Sequence, residues 1–248
     1  MHPVFPRSWK SIFLRMWPFS TLKQRRKKSA IPQSVHYSVI IALFLIAIIT
    51  VFVRFYQLGS VPPMFNPDEA SIAYNAYLLL ETGKDEWGKS WPLVLEAFGD
   101  QKIGGYTYLV VASFMFLGVS DTAVRLPAAL AGTGVVFLSG LLVYLLHTRV
   151  SRFEDAYTDK KIVPLSMGIA LMTMAIMAVQ PVFIWYSRVA FEATVALACT
   201  LGMLLLLFSE YPRALARRSK LQLGIILGGI VGLMVAAVFL YNVPLVII

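Results

Sequence analysis

The chain has one cysteine, Cys199, in 248 residues. It stands in an apolar run without a partner, so the sequence offers neither a disulfide framework nor a cysteine metal site. Histidine is nearly as scarce, with three residues: His2 is terminal, His36 heads the first apolar run, and His147 closes the second span. None points to a transition-metal set or to a histidine base outside the membrane. No metal and no cofactor are expected. Charge is also short: 14% of residues are charged against 58% hydrophobic, and the mean hydropathy is +0.72. A soluble domain of this length does not carry that balance, which leaves an all-α polytopic membrane protein with the lipid bilayer as its surroundings. No internal repeat, low-complexity tract or soluble domain is visible.

The first 34 residues hold no acid, while Arg7, Lys10, Arg15, Lys23, Arg25, Arg26, Lys27 and Lys28 are all basic. A net charge of +9 could suit nucleic acid, but the basic residues cluster beside apolar runs, as the positive-inside rule requires. No nucleic-acid partner is expected. Residues 1–34 read as a basic cytoplasmic segment, followed by an uncleaved anchor over about 35–53, since no convincing small-residue cleavage site follows. Residues 54–102 are acidic, with Asp68, Glu69, Glu81, Asp85, Glu86, Glu96 and Asp100, and belong outside.

Further charge-free runs begin at Ile103, Leu126, Ile162, Ala193 and Leu221. If the run from Ile103 to Ser120 spanned, Arg213, Arg217, Arg218 and Lys220 would lie outside, against the charge rule. If it lies on the surface, the basic 210–220 loop and the mixed 149–161 loop both fall inside, and Arg188 and Glu192 join the acidic loop outside. Its apolar core, Leu109 to Val119, has only about 11 residues, which is interfacial in length. The sequence therefore predicts five spans, about 35–53, 124–147, 162–186, 193–209 and 221–241. An outer loop, 54–123, carries surface helices over about 67–82 and 103–119. The uncharged stretch from Leu221 to Ile248, broken by Asn242 and Pro244, reads as a chain cut early in a sixth span. These features describe a multi-pass protein of the plasma membrane with a cytoplasmic N-terminus.

Within the outer loop, Asn66-Pro67-Asp68-Glu69 has two readings. One is a helix start, with Asn66 as N-cap, Pro67 in the first turn, Glu69 as the returning half of a capping box, and Gly83 as terminator. The other is chemical. Capping accounts for Glu69 better than for Asp68, and the helix dipole favours an anion in the first turn, so Asp68 is the better candidate base. Tyr74 and Tyr77 follow on this helix, then Trp87, Trp91, Phe98, Tyr106 and Tyr108, which fit an aromatic interface belt better than direct stacking on a substrate. Lys102 and Arg125 bracket the surface helix, and Arg188 and Glu192 sit between two spans. Spaced four apart, Arg188 and Glu192 could form a helix-end ion pair. Alternatively, cations gathered on the outer face would suit a lipid-linked phosphate.

Three ordered motifs carry a resemblance to a known family: Asn66-Pro67-Asp68-Glu69-Ala70-Ser71-Ile72-Ala73-Tyr74-Asn75-Ala76-Tyr77, Phe98-Gly99-Asp100-Gln101-Lys102, and Ala123-Val124-Arg125-Leu126-Pro127-Ala128-Ala129-Leu130. Over residues 35 to about 243 the chain resembles dolichyl-phosphate-mannose protein mannosyltransferase-like enzymes, that is, glycosyltransferase family 39 and its relatives, including aminoarabinose transferases. The resemblance implies a GT-C-type N-terminal transmembrane module with juxtamembrane helices in the first outer loop. It implies transfer of a mannose-like sugar from a polyprenyl-phosphate donor to a protein, lipid or glycan acceptor outside the membrane. By motif, Asp68 would be the catalytic base and Glu69 its neighbour, orienting acceptor or helix. Lys102 would meet the donor phosphate, and Arg188 and Glu192 would belong to the second outer loop; Arg125 and Tyr74 complete the expected substrate-binding set. The chain departs from the family at Lys102-Ile103-Gly104, where Lys-Pro-Pro is common, and at Tyr241-Asn242-Val243-Pro244, where many relatives read Tyr-His-Ser-Ala-Arg. Two other classes fit the same residues: a transporter or flippase of lipid-linked sugars, and a catalytically incomplete fragment of the transferase. Transporters usually place polar groups at midplane in broken helices, whereas the charge-free runs here carry no acid or base and the charged groups lie at the outer edge.

Overall fold

The computed structural model describes residues 33–153, 159–209 and 220–240. Over these residues the chain is mostly helical, and its helices run in the order α1 (Gln33–Phe55), α2 (Pro67–Thr82), α3 (Gly105–Leu117), α4 (Asp121–Phe153), α5 (Asp159–Val179), α6 (Pro181–Arg188), α7 (Glu192–Ser209) and α8 (Lys220–Leu240). Among the described residues, four stretches are long and apolar enough to cross a membrane: Tyr37–Phe55, Asp121–Arg149, Ile162–Val179 and Glu192–Ser209. The predicted fifth, 221–241, falls on α8, whose apolar stretch within the described residues is Gly224–Ala236. Residue 241, the basic segment 1–32 and the motif 241–244 lie outside the described residues.

Helix α4 packs along both α5 and α7; α1 lies against α5, and α8 against α7. Ile46, Val136, Met174 and Ala178 form one buried cluster where α1, α4 and α5 meet. Most other apolar side chains of α1, such as Ile40, Phe44 and Phe52, are exposed. That is the surface a span presents to lipid rather than to water. Close approach is decided at two glycines of α4. A Cβ on Gly132 would stand 2.0 Å from Ser187 Oγ, and one on Gly140 would stand 2.3 Å from Met174 Cγ.

The third span is shorter than 162–186. Helix α5 stops at Val179 and a separate turn of helix, α6, begins at Pro181. Gln180 between them is extended, at φ −61° and ψ 118°, because a residue preceding proline is pushed out of the helical region. Pro181 also lacks the N–H that would close the ladder onto Met177. Arg54 fills the gap: its Nη2 donates to Met177 O at 3.1 Å and its Nη1 to Ala178 O at 3.2 Å. The last turn of α1 is thereby fixed to the end of α5.

Between α1 and α4 the chain builds the layer predicted as an outer loop. Helix α3 has 13 residues, roughly 20 Å at 1.5 Å per residue, too short for a hydrocarbon core of about 30 Å. It packs on α2 and α4 through Tyr106, Val110, Val111 and Phe114, which join Ile72, Ala76 and Leu79 of α2 and Ala123, Val124 and Ala128 of α4 in a second core. The helical class expected from the sequence holds for most of the described chain, and one small hairpin is added to it. Strands β1 (Val94–Ala97) and β2 (Asp100–Ile103) form an antiparallel hairpin, with Val94 opposite Ile103 and Ala97 opposite Asp100. Its two-residue turn is Phe98-Gly99, with φ of 54° and 77°, the left-handed backbone that tight hairpins require. Leu95 and Ala97 are buried, while Phe98 is exposed at the tip.

Candidate functional site

The start of α2 sets the site. Asn66 is extended at φ −72°, ψ 165°, and its side chain accepts from Glu69 N at 2.8 Å, while Asn66 N donates to Glu69 Oε2 at 3.3 Å. The capping box read from the sequence is therefore formed, with Pro67 in the first turn. Gly83 closes the helix at φ 69°, its N–H donating to Leu79 O at 3.0 Å. Capping holds one oxygen of Glu69 and packing holds the other: Oε1 accepts from Arg125 Nε at 3.1 Å and from Ala190 N at 2.7 Å. With a side chain only 1% exposed, Glu69 ties α2 to α4 and to the turn before α7.

Asp68, one residue earlier, has a different environment. Its side chain is 38% exposed and its Oδ1 accepts from Lys102 Nζ in an ion pair, the Lys102 side chain being 22% exposed. The pair bridges the first turn of α2 and the second strand of the hairpin, 34 residues apart. Beside it opens a cleft of about 20 Å³, whose polar lining is Ser71 and Asn75 from α2, Lys102 from β2, Tyr106 and Thr107 from α3, and Glu192 from α7. Asp68, Ser71, Ile72 and Asn75 recur at the three- and four-residue spacing that places side chains on one face of a helix. That spacing was the signal that could have found Ser71 and Asn75. Asn75 is buried and holds the following loop by two bonds, from its Nδ2 to Glu86 Oε1 at 3.0 Å and from Glu86 N to its Oδ1 at 3.1 Å.

The other expected cations do not face this cleft. Arg125 is 1% exposed, and besides Glu69 it donates to Leu58 O, Pro62 O and Met64 O at 2.9–3.3 Å, with its guanidinium 5.0 Å from the Phe65 ring centroid. Arg188 is 8% exposed and donates to Val53 O and Tyr56 O at 2.7 Å, Val61 O at 2.9 Å and Gln57 O at 3.2 Å. Burial, and then the nearby Arg125 charge, hold the Arg188 guanidinium below its ordinary value. Planar guanidinium groups suit such forks of acceptors. Here the acceptors are the carbonyls of the segment joining α1 to α2, where the sequence pointed to a phosphate.

Of the residues singled out from sequence, the structure thus brings Lys102 and Glu192 into one cleft, pairs Asp68 with Lys102 beside it, and ties Glu69 to Arg125 in the buried layer. Arg188, the last residue of α6, holds the end of α1, and Tyr74, like Tyr77, is exposed on α2. Sequence reading missed Arg54, placed in the acidic loop but 1% exposed. Its signal was Pro181, which leaves a carbonyl needing a donor. Tyr106 is almost wholly buried, donates to Val124 O at 3.0 Å, and is pushed well above the ordinary phenol range by burial. Tyr108 is likewise raised by burial and then by Asp85. Among the described residues no three His, Cys, Asp or Glu side chains converge as a metal-holding group. Chemically, the cleft offers the Lys102 ammonium, paired with the partly exposed Asp68 carboxylate beside it, together with hydroxyl, amide and carboxylate groups. Compared with family models, curated proteins and solved structures, the chain matches none.

Proposed function

We propose that this protein is a membrane glycosyltransferase with a GT-C-type fold, moving a mannose-like sugar from a polyprenyl-phosphate donor to a hydroxyl acceptor on the outer side of the membrane. The observation that carries the reading is the contact of Asp68 with Lys102 at a cleft formed where the ends of the apolar helices meet the α2–α3 layer. A polyprenyl phosphate delivers its headgroup at the edge of the bilayer, the level at which a lysine beside the span ends would meet it.

The acceptor oxygen attacks the anomeric carbon, and the bond from that carbon to the phosphate oxygen breaks with its electron pair on the phosphate. The acceptor proton passes to the Asp68 carboxylate, and the Lys102 ammonium offsets charge growing on the departing phosphate. A single displacement of this kind inverts the anomeric centre. Glu69 holds the turn that carries Asp68, and Glu192 lies within reach of hydroxyls entering the cleft.

The test uses the whole chain in membranes supplied with radiolabelled polyprenyl-phosphate sugar. Asp68→Asn should lower transfer by about 10²–10⁴-fold, the usual contribution of a positioned base. Undiminished transfer removes Asp68 from the mechanism, and label that crosses the bilayer without reaching an acceptor identifies a lipid-linked-sugar transporter instead.

A further inference from the structure

The cleft beside Asp68 and Lys102 is narrow. Its volume of about 20 Å³ is enough for one water molecule, which needs about 10–15 Å³. Small-molecule sites usually enclose about 300–1,000 Å³. A sugar phosphate enters only if a wall moves.

One wall is a two-stranded hairpin, held on its outer strand by Trp87 Nε1 donating to Glu96 O at 3.0 Å. The hairpin β1–β2 supplies Leu95, Ala97 and Lys102 to the lining and ends in an exposed tip at Phe98. Its root is held by Gly104 N donating to Leu93 O at 2.9 Å and by Tyr108 OH donating to Pro92 O at 2.5 Å. Farther out, the Lys102–Asp68 pair ties it to α2. We infer that this pair is a latch: it holds the hairpin over the cleft while the site is empty, and a phosphate monoester or diester group releases it by taking Lys102 from Asp68. Both partners keep some solvent contact, so the exchange replaces one accessible anion by another of greater charge density and buries no unpaired ion.

The exchange has a chemical consequence. Releasing Lys102 from Asp68 frees the carboxylate oxygen that would receive the acceptor proton. Phosphate binding and activation of the base become one event, and the ammonium occupies that carboxylate oxygen when no donor is present. This step rests on the transfer reading for its purpose, but the latch is measurable without any transfer.

Hydrogen exchange of the 94–103 amides, followed by mass spectrometry on the whole chain in lipid nanodiscs, tests it. Asp68→Asn and Lys102→Gln should each speed exchange of the hairpin about two- to fivefold, the factor a partly exposed ion pair supplies. Lys89→Ala removes the longer and more exposed Lys89–Glu96 pair on the other strand, 3.8 Å apart, and should speed exchange less than either latch variant. Nanodiscs containing a polyprenyl phosphate should bring the wild-type rate toward that of Asp68→Asn, with no such rise in Lys102→Gln. The same rise with inorganic phosphate alone assigns the key to the headgroup rather than to the lipid. Unchanged exchange in both latch variants overturns the inference, as does a wild-type rate indifferent to both phosphates. Transfer abolished by Asp68→Asn with unaltered hairpin exchange sinks the latch and leaves the transferase standing. Altered exchange without any transfer in the wild type does the reverse.

Discussion

Glu69 Oε1 lies 3.1 Å from Arg125 Nε, and each side chain is only 1% exposed. One residue away, Asp68 meets Lys102 with 38% and 22% of the two side chains exposed. Two adjacent acids thus enter ion pairs of opposite character. Breaking a buried pair by removing one partner strands a charge, at about 3–5 kcal/mol, whereas a partly exposed pair contributes at most about 1 kcal/mol. Glu69→Ala should therefore lower the thermal midpoint in detergent far more than Asp68→Asn. Equal losses would show that the two carboxylates are not divided between support and chemistry.

Arg188 serves four carbonyls spread over residues 53–61. A lysine presents three donors from a single nitrogen and cannot span that fork. Both Arg188→Ala and Arg188→Lys should destabilise the protein, by about 1–3 kcal/mol for each carbonyl left buried without a donor, and both should open the 56–64 segment to limited proteolysis. A wild-type cleavage pattern in the lysine variant would mean that charge, rather than geometry, holds the segment.

At Gly132 an added methyl group meets Ser187, whereas at Gly134 it meets nothing within 4 Å. Gly132→Ala should destabilise by about 1–3 kcal/mol through overpacking. Gly134→Ala should be neutral or stabilising by up to about 1 kcal/mol, because alanine is the better helix former. Thermal unfolding of the two variants side by side reads the opposite signs, and a stable Gly132→Ala would place α4 and α6 farther apart than described.

Tyr106 supplies a pH signature. Burial raises its phenol above the ordinary value of 10.0, so the unfolded chain ionises first as pH climbs. The neutral phenol's contribution to stability is complete below about pH 10 and declines above it. Between pH 8 and 11 the wild-type midpoint should fall more steeply than that of Tyr106→Phe. Parallel curves would show that the ring is accessible to solvent.

Much of this organisation is written locally in the chain. Apolar run length alone located the helices beginning at Gln33, Asp121, Asp159 and Glu192, because a lipid-facing helix needs about 20 apolar residues whatever its neighbours are. The α2 cap was legible residue by residue, since Asn66, Pro67, Glu69 and Gly83 act through bonds within one turn of chain. Local too was the shortness of α3. The hairpin was not legible: four-residue strands carry little pattern, and their pairing depends on the cover that α2 and α3 provide for Leu95 and Ala97.

Tertiary structure alone decided which charges do what. By sequence, Lys102, Arg125 and Arg188 were equivalent cations on one face, and Asp68 and Glu69 were neighbours in one turn. Folding pointed Glu69, Arg125, Arg188 and Arg54 inward, where ions must be matched by carbonyls or by one another. It left Asp68 and Lys102 at a cleft with solvent contact to exchange. Composition and spacing determine that such ions exist near the span ends; their partners come from segments between 34 and 135 residues distant, and no local rule reaches that far.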